Sequence, residues 1–504
     1  MDALARHPIY AQYWHDKARQ QPYEGRCFIN GRFVEALDGG VFDCYSPIDG
    51  RFLARIASGK SADVDLAVAS ARTAFEDRRW AGMPLIMRKQ ILNKLANLVL
   101  ARKDELALLE TMDMGKPISS SWNVDIPAVA QCFQWYAEAI DKLYEDIAPT
   151  SDGHLGMITR EPLGVVGAIV PWNYPLLTAA WKVAPALAMG NSVILKPAEQ
   201  SPLTAIRLAQ LAIEAGVPKG VLNVVPGLGR TAGKALALHN DVDGILFTGS
   251  TATGRLLMEY TARSNLKKVS LELGGKSPSI ILSSYSDIEK AASIVAERMF
   301  SNQVQTCIAP SRLIVERSVH SRVVDAVMKV AEMMQPADPL SPATRVGAVV
   351  DARHADRVMG YIERAVTSGA QLITGGQRAF VETGGSYIVP TIFDNVSNDM
   401  EIVREEVFGP VLSIITVDSA TEAVAVANDT SYGLGAGVWC DKLSEAHQIA
   451  KKLRAGVVYV NCYNTCDLTT PFGGIKQSGH GRDKSMRAFD ECTSVKTTLM
   501  DIKN

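Results

Sequence analysis

Charge of one sign is missing from this chain. Across 504 residues, 52 Lys and Arg face 54 Asp and Glu, for a formal net charge of −2 at pH 7. That balance makes no field able to gather nucleic acid or an anionic membrane, and neither is expected as a partner. Long apolar runs are missing as well: no stretch of about 18 uninterrupted apolar residues appears, so no membrane span is expected. The opening Met1-Asp2-Ala3-Leu4-Ala5-Arg6-His7-Pro8 lacks the basic-then-apolar order of a signal peptide. Cysteine is sparse. Cys27, Cys44, Cys132, Cys307, Cys440, Cys462, Cys466 and Cys492 are scattered, which suits free thiols in a reducing cytoplasm better than a disulfide framework. Cys462 and Cys466 are near neighbours, but no second Cys or His pair completes a zinc pattern, and no metal is expected.

What is present is an ordinary globular composition, 47% hydrophobic and 21% charged, on a chain long enough for two or three domains. Apolar alternation around Asn30-Gly31 reads as a hairpin over residues 27–34. Apolar residues at three- and four-residue spacing mark helices over 61–76, 84–111 and 126–144. From Gly164 the pattern changes to strands at 165–170, 192–195, 221–225 and 244–247, alternating with helices at 177–189, 203–215, 231–239 and 251–264. A second such pattern begins near Lys268, with strands at 269–273, 279–282 and 311–315, helices at 287–300 and 320–334, and a later strand at 456–460. Strands alternating with helices imply α/β architecture with doubly wound parallel sheets. The tail, 490–502, has mixed strand character and suits pairing with another subunit or closure of its own sheet.

Three strand ends of the first pattern carry groups that suit a dinucleotide. Gly227-Leu228-Gly229-Arg230-Thr231-Ala232-Gly233 is Gly-rich and enters a helix, although its last gap is one residue longer than a G-x-G-x-x-G fingerprint. Gly249 and Ser250, in Phe247-Thr248-Gly249-Ser250, open another helix; they suit either a phosphate at its N-terminus or a plain N-cap. Lys196-Pro197-Ala198-Glu199 follows a third strand, and the Glu199 carboxylate suits ribose hydroxyls and would repel a 2′-phosphate. Alone, each is as readily a turn or a solvated acid; together they point to a dinucleotide at the carboxyl ends of one parallel sheet.

Cys307 has matched partners elsewhere in the chain. A buried structural thiol is the commoner fate of a free Cys, and a nucleophile needs a base or an electropositive setting. Glu272, in Leu271-Glu272-Leu273-Gly274-Gly275-Lys276-Ser277, is a candidate base. Asn173, in Pro171-Trp172-Asn173-Tyr174-Pro175, is a turn residue whose amide suits an oxyanion. A thiol, a carboxylate and an amide together suggest covalent catalysis on a carbonyl.

These stretches, with Glu405-Glu406-Val407-Phe408-Gly409-Pro410 and Pro471-Phe472-Gly473-Gly474, stand in the order of an NAD(P)-dependent aldehyde dehydrogenase, and the resemblance covers nearly the whole chain. It implies an NAD-binding domain over 1–143 and 163–274, a catalytic domain over 275–476, and a small β oligomerisation arm over 144–162 and 488–504, in a dimer or tetramer. By the same resemblance Cys307 is the nucleophile, Glu272 the general base, Asn173 with the Cys307 N–H the oxyanion hole, and Lys182 a proton relay. Trp172, Lys196, Glu199, Gly229, Gly233, Gly249, Ser250, Leu273, Glu406 and Phe408 fall at cofactor positions, with Glu199 favouring NAD over NADP. Tyr174, Trp181, Ser301, Thr306, Cys466 and Phe472 fall along the aldehyde tunnel. Asp125 and Asp467 lie near it and suit either a cationic substrate end or solvent. The implied chemistry is a thiohemiacetal on Cys307, loss of hydride to give a thioester, and hydrolysis by water activated by Glu272.

Trp135-Tyr136-Ala137-Glu138-Ala139-Ile140-Asp141-Lys142, Asn461-Cys462-Tyr463-Asn464 and Gly479-His480-Gly481-Arg482-Asp483-Lys484-Ser485 most resemble bacterial aminoaldehyde dehydrogenases, including those acting on γ-glutamylaminobutyraldehyde. Two positions depart from the family pattern. Val304 stands where the pattern Asn-x-Gly-Gln-x-Cys has Gly, so a strained or tighter loop is expected, and a catalytically silent relative with a binding role is the second reading. Met486 stands where some relatives carry a Glu near the proton-release path, which leaves Lys182 as the candidate relay there.

Overall fold

The computed structural model describes residues 10–465 and 467–503. Strands Cys27–Ile29 and Arg32–Val34 pair antiparallel, and Asn30 (φ 51°) and Gly31 (φ 75°) supply the left-handed turn that a two-residue hairpin needs. This hairpin joins the first of two seven-stranded sheets, whose order is Lys268–Glu272, Gly244–Thr248, Val165–Ile169, Ser192–Lys196, Leu222–Val224, then the hairpin. Those first five strands are parallel, and the hairpin joins them through Cys27–Ile29, which runs antiparallel to Leu222–Val224. Strand order reverses on either side of Val165–Ile169, the switch point at which such sheets bind ligands beyond their carboxyl ends. Beyond those ends lie Trp172 and Asn173, Lys196, Gly249 and Ser250, and Glu272.

The strand read at 269–273 as the start of the second pattern belongs to the first. Lys268–Glu272 runs parallel to Gly244–Thr248 as the edge of the first sheet. A short apolar strand carries no mark of which sheet it joins; its neighbours decide. The helical run 84–111 is two helices, Leu85–Ala101 and Lys103–Met114, broken at Arg102 (φ −106°, ψ 21°). Asp104 and Glu105 favour a fresh N-terminus there by meeting the positive end of the second helix dipole. The run 126–144 stops at Ala139, and a π-helical turn, Ser121–Asp125, leads into it.

The second sheet has the order Gln371–Thr374, Thr391–Asp394, Val411–Val417, Arg312–Glu316, Pro278–Ile281, Gly435–Trp439, Val457–Val460, and only the outer Gln371–Thr374 is antiparallel. Ile281, Leu313 and Val315 enter one apolar core, while Ile280, Leu282 and Ile314 enter another on the opposite face. That period-two split is how a parallel sheet covered on both faces sorts its side chains.

The tail closes a sheet within its own chain. Thr493–Asp501 pairs antiparallel with His154–Pro162 along its whole length, and Asp146–Ala148 completes three strands. Ile147, Val495 and Leu499 stay 64%, 70% and 62% exposed on this sheet. Among the described residues no helix is long and apolar enough to cross a membrane.

The chain passes from the first sheet to the second through Leu273-Gly274-Gly275-Lys276-Ser277. It comes back beside its point of departure: Leu273 N–H donates to Ser478 O at 3.0 Å, and Glu272 bridges Gly479.

Candidate active site

Cys307 lies on a turn between helix Ile288–Phe300 and strand Arg312–Glu316. Three successive residues before it are left-handed: Asn302 (φ 50°), Gln303 (φ 54°) and Val304 (φ 59°). For a β-branched residue this region is strained, so the departure at Val304 is a real distortion and not a reshaped, relaxed loop. Hydrogen bonds over-determine it. Gln305 N–H donates to Asn302 O at 2.9 Å, and the Gln305 side chain accepts from Val350 N–H at 2.8 Å. Asn302 Nδ2 donates to Asn173 O (3.1 Å) and to Gln305 O (3.2 Å), while Asn173 Nδ2 donates to the same Gln305 O at 2.7 Å. The Val304 side chain is buried in the apolar core of the second sheet.

Cys307 as a residue is partly exposed, unlike Cys27, Cys44, Cys132, Cys440 and Cys492, which are buried, but its thiol faces inward. Withheld solvent and then the carboxyls of Glu406 and Glu272 push its pKa up, and the N–H groups of Cys307 and Ile308 oppose that. Glu272, at the end of the first sheet's edge strand, is 2% exposed, and neither carboxyl oxygen has a hydrogen-bond partner among the described residues. Burial, reinforced by Asp483, holds its pKa well above the usual carboxylate range, against Lys182 and Arg482. Its carboxyl therefore holds a proton more tightly than a solvated one does. Gly275 is required here: a Cβ on it would lie 2.6 Å from Cys307 O.

Lys182 is buried on helix Pro175–Ala188 with its Nζ 2.8 Å from each carboxylate oxygen of Asp483. With Met486 in place of the Glu of some relatives, Lys182 stands as the candidate relay; the carboxylate beside it in the structure is that of Asp483. The pair is 301 residues apart in the chain, and no local spacing announces it.

At the cofactor positions the geometry suits a dinucleotide. A Cβ on Gly229 or Gly233 would meet nothing within 4 Å, so the turn beside them is open. Lys196 Nζ is 3.4 Å from Glu199 Oε2, and burial lowers the pKa of Lys196. Ser250 Oγ accepts from Thr253 N–H as the N-cap of helix Thr251–Ala262. Gly249 faces the Phe247 ring, and Leu273 packs over Gly254. Glu406 Oε1 accepts from Gly275 N–H at 3.1 Å, and burial pushes its pKa up to about 7. Trp172 stands edge-on to Phe408 and His354, with centroids 5.3 and 5.2 Å away, and His354 Nε2 is 2.8 Å from Phe408 O. Nothing in the sequence pattern singled out His354, which ties Trp172 to Phe408.

At the tunnel positions, Tyr174 OH is 3.2 Å from Thr306 Oγ1, and Trp181 leans on Phe472 with centroids 5.6 Å apart. Trp181, Phe472 and Cys307 pack against one apolar cluster. Ser301 Oγ turns back to Glu297 O at 2.5 Å, capping its helix. Asp467 is exposed and accepts from Thr469 N–H and Oγ1 in its own turn, each at 2.8 Å. Asp125 is not open to a substrate cation in the way the sequence suggested: it is buried, and its Oδ2 lies 2.6 Å from Lys116 Nζ. Cys466 lies outside the described residues.

Known proteins resemble this chain over nearly its whole length. A family model described as "Aldehyde dehydrogenase family" matches residues 33–498. The NADP/NAD-dependent aldehyde dehydrogenase PuuC of Escherichia coli is 49% identical over 491 residues, 97% of this chain and 98% of that protein. Aminoacetaldehyde dehydrogenase of Pseudomonas aeruginosa is 44% identical over 477 residues, 94% of this chain and 95% of that one. Among solved structures, an indole-3-acetaldehyde dehydrogenase in complex with NAD+ superposes with a TM-score of 0.97 at 53% identity, covering 98% of this chain and 100% of its own. The gamma-glutamyl-gamma-aminobutyraldehyde dehydrogenase of Burkholderia cenocepacia gives a TM-score of 0.97 at 52% identity with the same coverage.

Proposed function

The chain belongs to the aldehyde dehydrogenase family, and from that premise we propose that it oxidises an amino-, guanidino- or γ-glutamylamino-aldehyde to the carboxylic acid with NAD. The observation that carries this reading is the convergence on Cys307 of the Asn173 turn from one sheet, Glu272 at its edge, and a loop of the other. Relatives named for γ-glutamyl-γ-aminobutyraldehyde and aminoacetaldehyde support the substrate class. With relatives that are enzymes over nearly the full chain, the silent reading raised by Val304 is disfavoured.

In this reading the Cys307 thiolate adds to the aldehyde carbonyl. The resulting oxyanion takes hydrogen bonds from the Cys307 N–H and from the second N–H of the Asn173 amide, the first being held by Gln305 O. Bound NAD supplies the hydride acceptor. Glu272 then takes a proton from the water that hydrolyses the thioester, with Lys182 and Asp483 beside it to pass that proton on. Glu199 would meet the adenosine ribose and disfavour a 2′-phosphate. Glu406 and Phe408 would hold the nicotinamide end. A dimer or tetramer would form through the exposed three-stranded sheet, in a reducing cytoplasm that leaves the cysteines as thiols.

Steady-state kinetics test the reading, with 3-aminopropanal, γ-guanidinobutanal, betaine aldehyde, a γ-glutamylamino aldehyde and a plain aliphatic aldehyde, each with NAD and NADP. Acid product formed without coenzyme A is expected. NAD binding with no turnover of any aldehyde would sink the reading.

A further inference from the structure

Three charged side chains are sealed beneath the turn that carries Asn173. The side chain of Lys116 is 1% exposed, Glu110 0% and Asp125 4%, and Lys116 Nζ lies 3.1 Å from Glu110 Oε1 and 2.6 Å from Asp125 Oδ2. The same ammonium stands 4.2 Å from the centre of the Tyr174 ring. The other Glu110 oxygen accepts from Leu176 N–H at 3.4 Å, one of the spare N–H groups in the first turn of helix Pro175–Ala188. Burial works against the charge on Lys116, but the two carboxylates outweigh it and its pKa is raised. Burying three charges is a poor route to stability, because desolvation opposes their attraction.

The cluster's contacts lead to the reacting groups. Tyr174 OH is 3.2 Å from Thr306 Oγ1, next to Cys307, and the neighbouring Asn173 Nδ2 holds Gln305 O at 2.7 Å. Tyr174 also ends that helix at its N-cap. Asp125 arrives from the π-helical turn Ser121–Asp125, whose Trp122 donates to Asp104 Oδ1 at 2.7 Å.

We propose that Lys116, gripped by Glu110 and Asp125, is a positioning residue: it fixes the Tyr174 ring and, through it, the aim of the Asn173 amide and the Thr306–Cys307 segment. Glu110 holds the same turn from its other end at Leu176. Asp125 therefore serves the lysine and not a substrate cation. The proposal rests on Cys307 and Asn173 being the reacting thiol and oxyanion donor.

The test neutralises the cluster without stranding a charge, by Lys116→Met, Glu110→Gln and Asp125→Asn together, in the full chain and again in a Tyr174→Leu background. The readouts are kcat and KM with the best aldehyde and saturating NAD, and the rate at which iodoacetamide alkylates Cys307. In the triple variant kcat is expected to fall about tenfold with KM changed less than about twofold, because a misaimed donor acts on the transition state. Alkylation is expected to change by about threefold or more, and in the Tyr174→Leu background both effects shrink below about twofold, since coupled residues are not additive. Wild-type kcat and alkylation in the triple variant, or equal losses in both backgrounds, would overturn the proposal. If the wild-type enzyme turns over no aldehyde, the functional reading fails while the alkylation comparison still decides the positioning. Should the triple variant not fold, Tyr174→Phe decides instead: it keeps the ring on Lys116 and drops the Thr306 bond, so unchanged kcat and alkylation would overturn the proposal and a loss of both supports it.

Discussion

Lys182 Nζ lies 2.8 Å from both carboxylate oxygens of Asp483, and this pair borders the unpartnered carboxyl of Glu272. The two members pull Glu272 in opposite directions, Asp483 upward and Lys182 downward. In the proposed mechanism, the strength of Glu272 as a base is thus tuned by this neighbouring pair.

The first prediction concerns pH. Glu272 serves as a base only when deprotonated, and its folded pKa is raised, as is that of Cys307. Activity should therefore rise with pH from neutrality into the alkaline range. Glu272→Gln should lower steady-state kcat by about 100-fold or more, the usual scale of a lost general base. It should leave thermal stability unchanged or higher, since burial disfavours the charge that the amide removes. Stopped-flow NADH formation with acid quantitation reads both; an unchanged hydrolysis rate would remove Glu272 from the mechanism.

Asp483→Asn isolates the neighbouring carboxylate. Losing it removes an influence that raises Glu272, so the alkaline limb of the rate profile should move to lower pH. Lys182 is then left buried without its counter-charge, which costs about 3–5 kcal/mol when one partner of such a pair is removed. A pH–rate profile and a thermal melt check the two parts separately.

Gly275→Ala probes the close approach behind the nucleophile. Its Cβ would lie 2.6 Å from Cys307 O, and backbone atoms cannot both stay. Stability should fall by about 1–3 kcal/mol, as overpacking does. Turnover should fall more than NAD affinity, because the displaced atoms belong to the Cys307 segment. Calorimetric NAD titration beside kcat distinguishes this from general unfolding.

Glu199→Ser should relax cofactor choice. The carboxylate sits 3.4 Å from Lys196 Nζ, and without it the lysine is released to meet a 2′-phosphate. The ratio of kcat/KM with NADP to that with NAD should rise about tenfold or more once the like charge is gone. A ratio that does not move would place the ribose elsewhere.

Val304→Gly weighs two opposed effects. Relief of a left-handed L-residue is worth about 1–2 kcal/mol. Against it stand the loss of a buried Val, about 1.5–3 kcal/mol, and the added chain entropy of Gly, up to about 1 kcal/mol. Burial wins, so the melting temperature should drop slightly while kcat rises, the Cys307 loop being freed. A drop in kcat would show that the strained loop is the working geometry.

Much of this was legible in residue pattern alone. The Asn30-Gly31 hairpin and the helices at Ser61–Glu76 and Leu203–Ala215 follow from local turn chemistry and apolar spacing, and the structure gives them at the expected places. Strain at Val304 was readable because a β-branched residue replaced a glycine. Long-range pairings were not readable. Lys182 meets Asp483 and Lys268–Glu272 joins the first sheet, each through tertiary packing that local sequence does not encode. Lys116 meets Asp125 only nine residues on, across a π-helical turn that the apolar spacing does not mark. The same limit explains Asp125: an acid near a tunnel looks available until the lysine that holds it is seen.

The hydrogen bond from Leu273 N–H to Ser478 O ties the exit and re-entry of segment 274–477 to neighbouring points. Topologically the second lobe is an insertion in a loop of the first, and its ends are already together. Chain ends that lie side by side are what permit domain insertion and circular permutation. The segment could be joined end to end and reopened at a distant surface loop without unthreading either sheet. What resists such a rearrangement is the contact between the lobes, where Asn173 is bonded to Asn302 and Gln305.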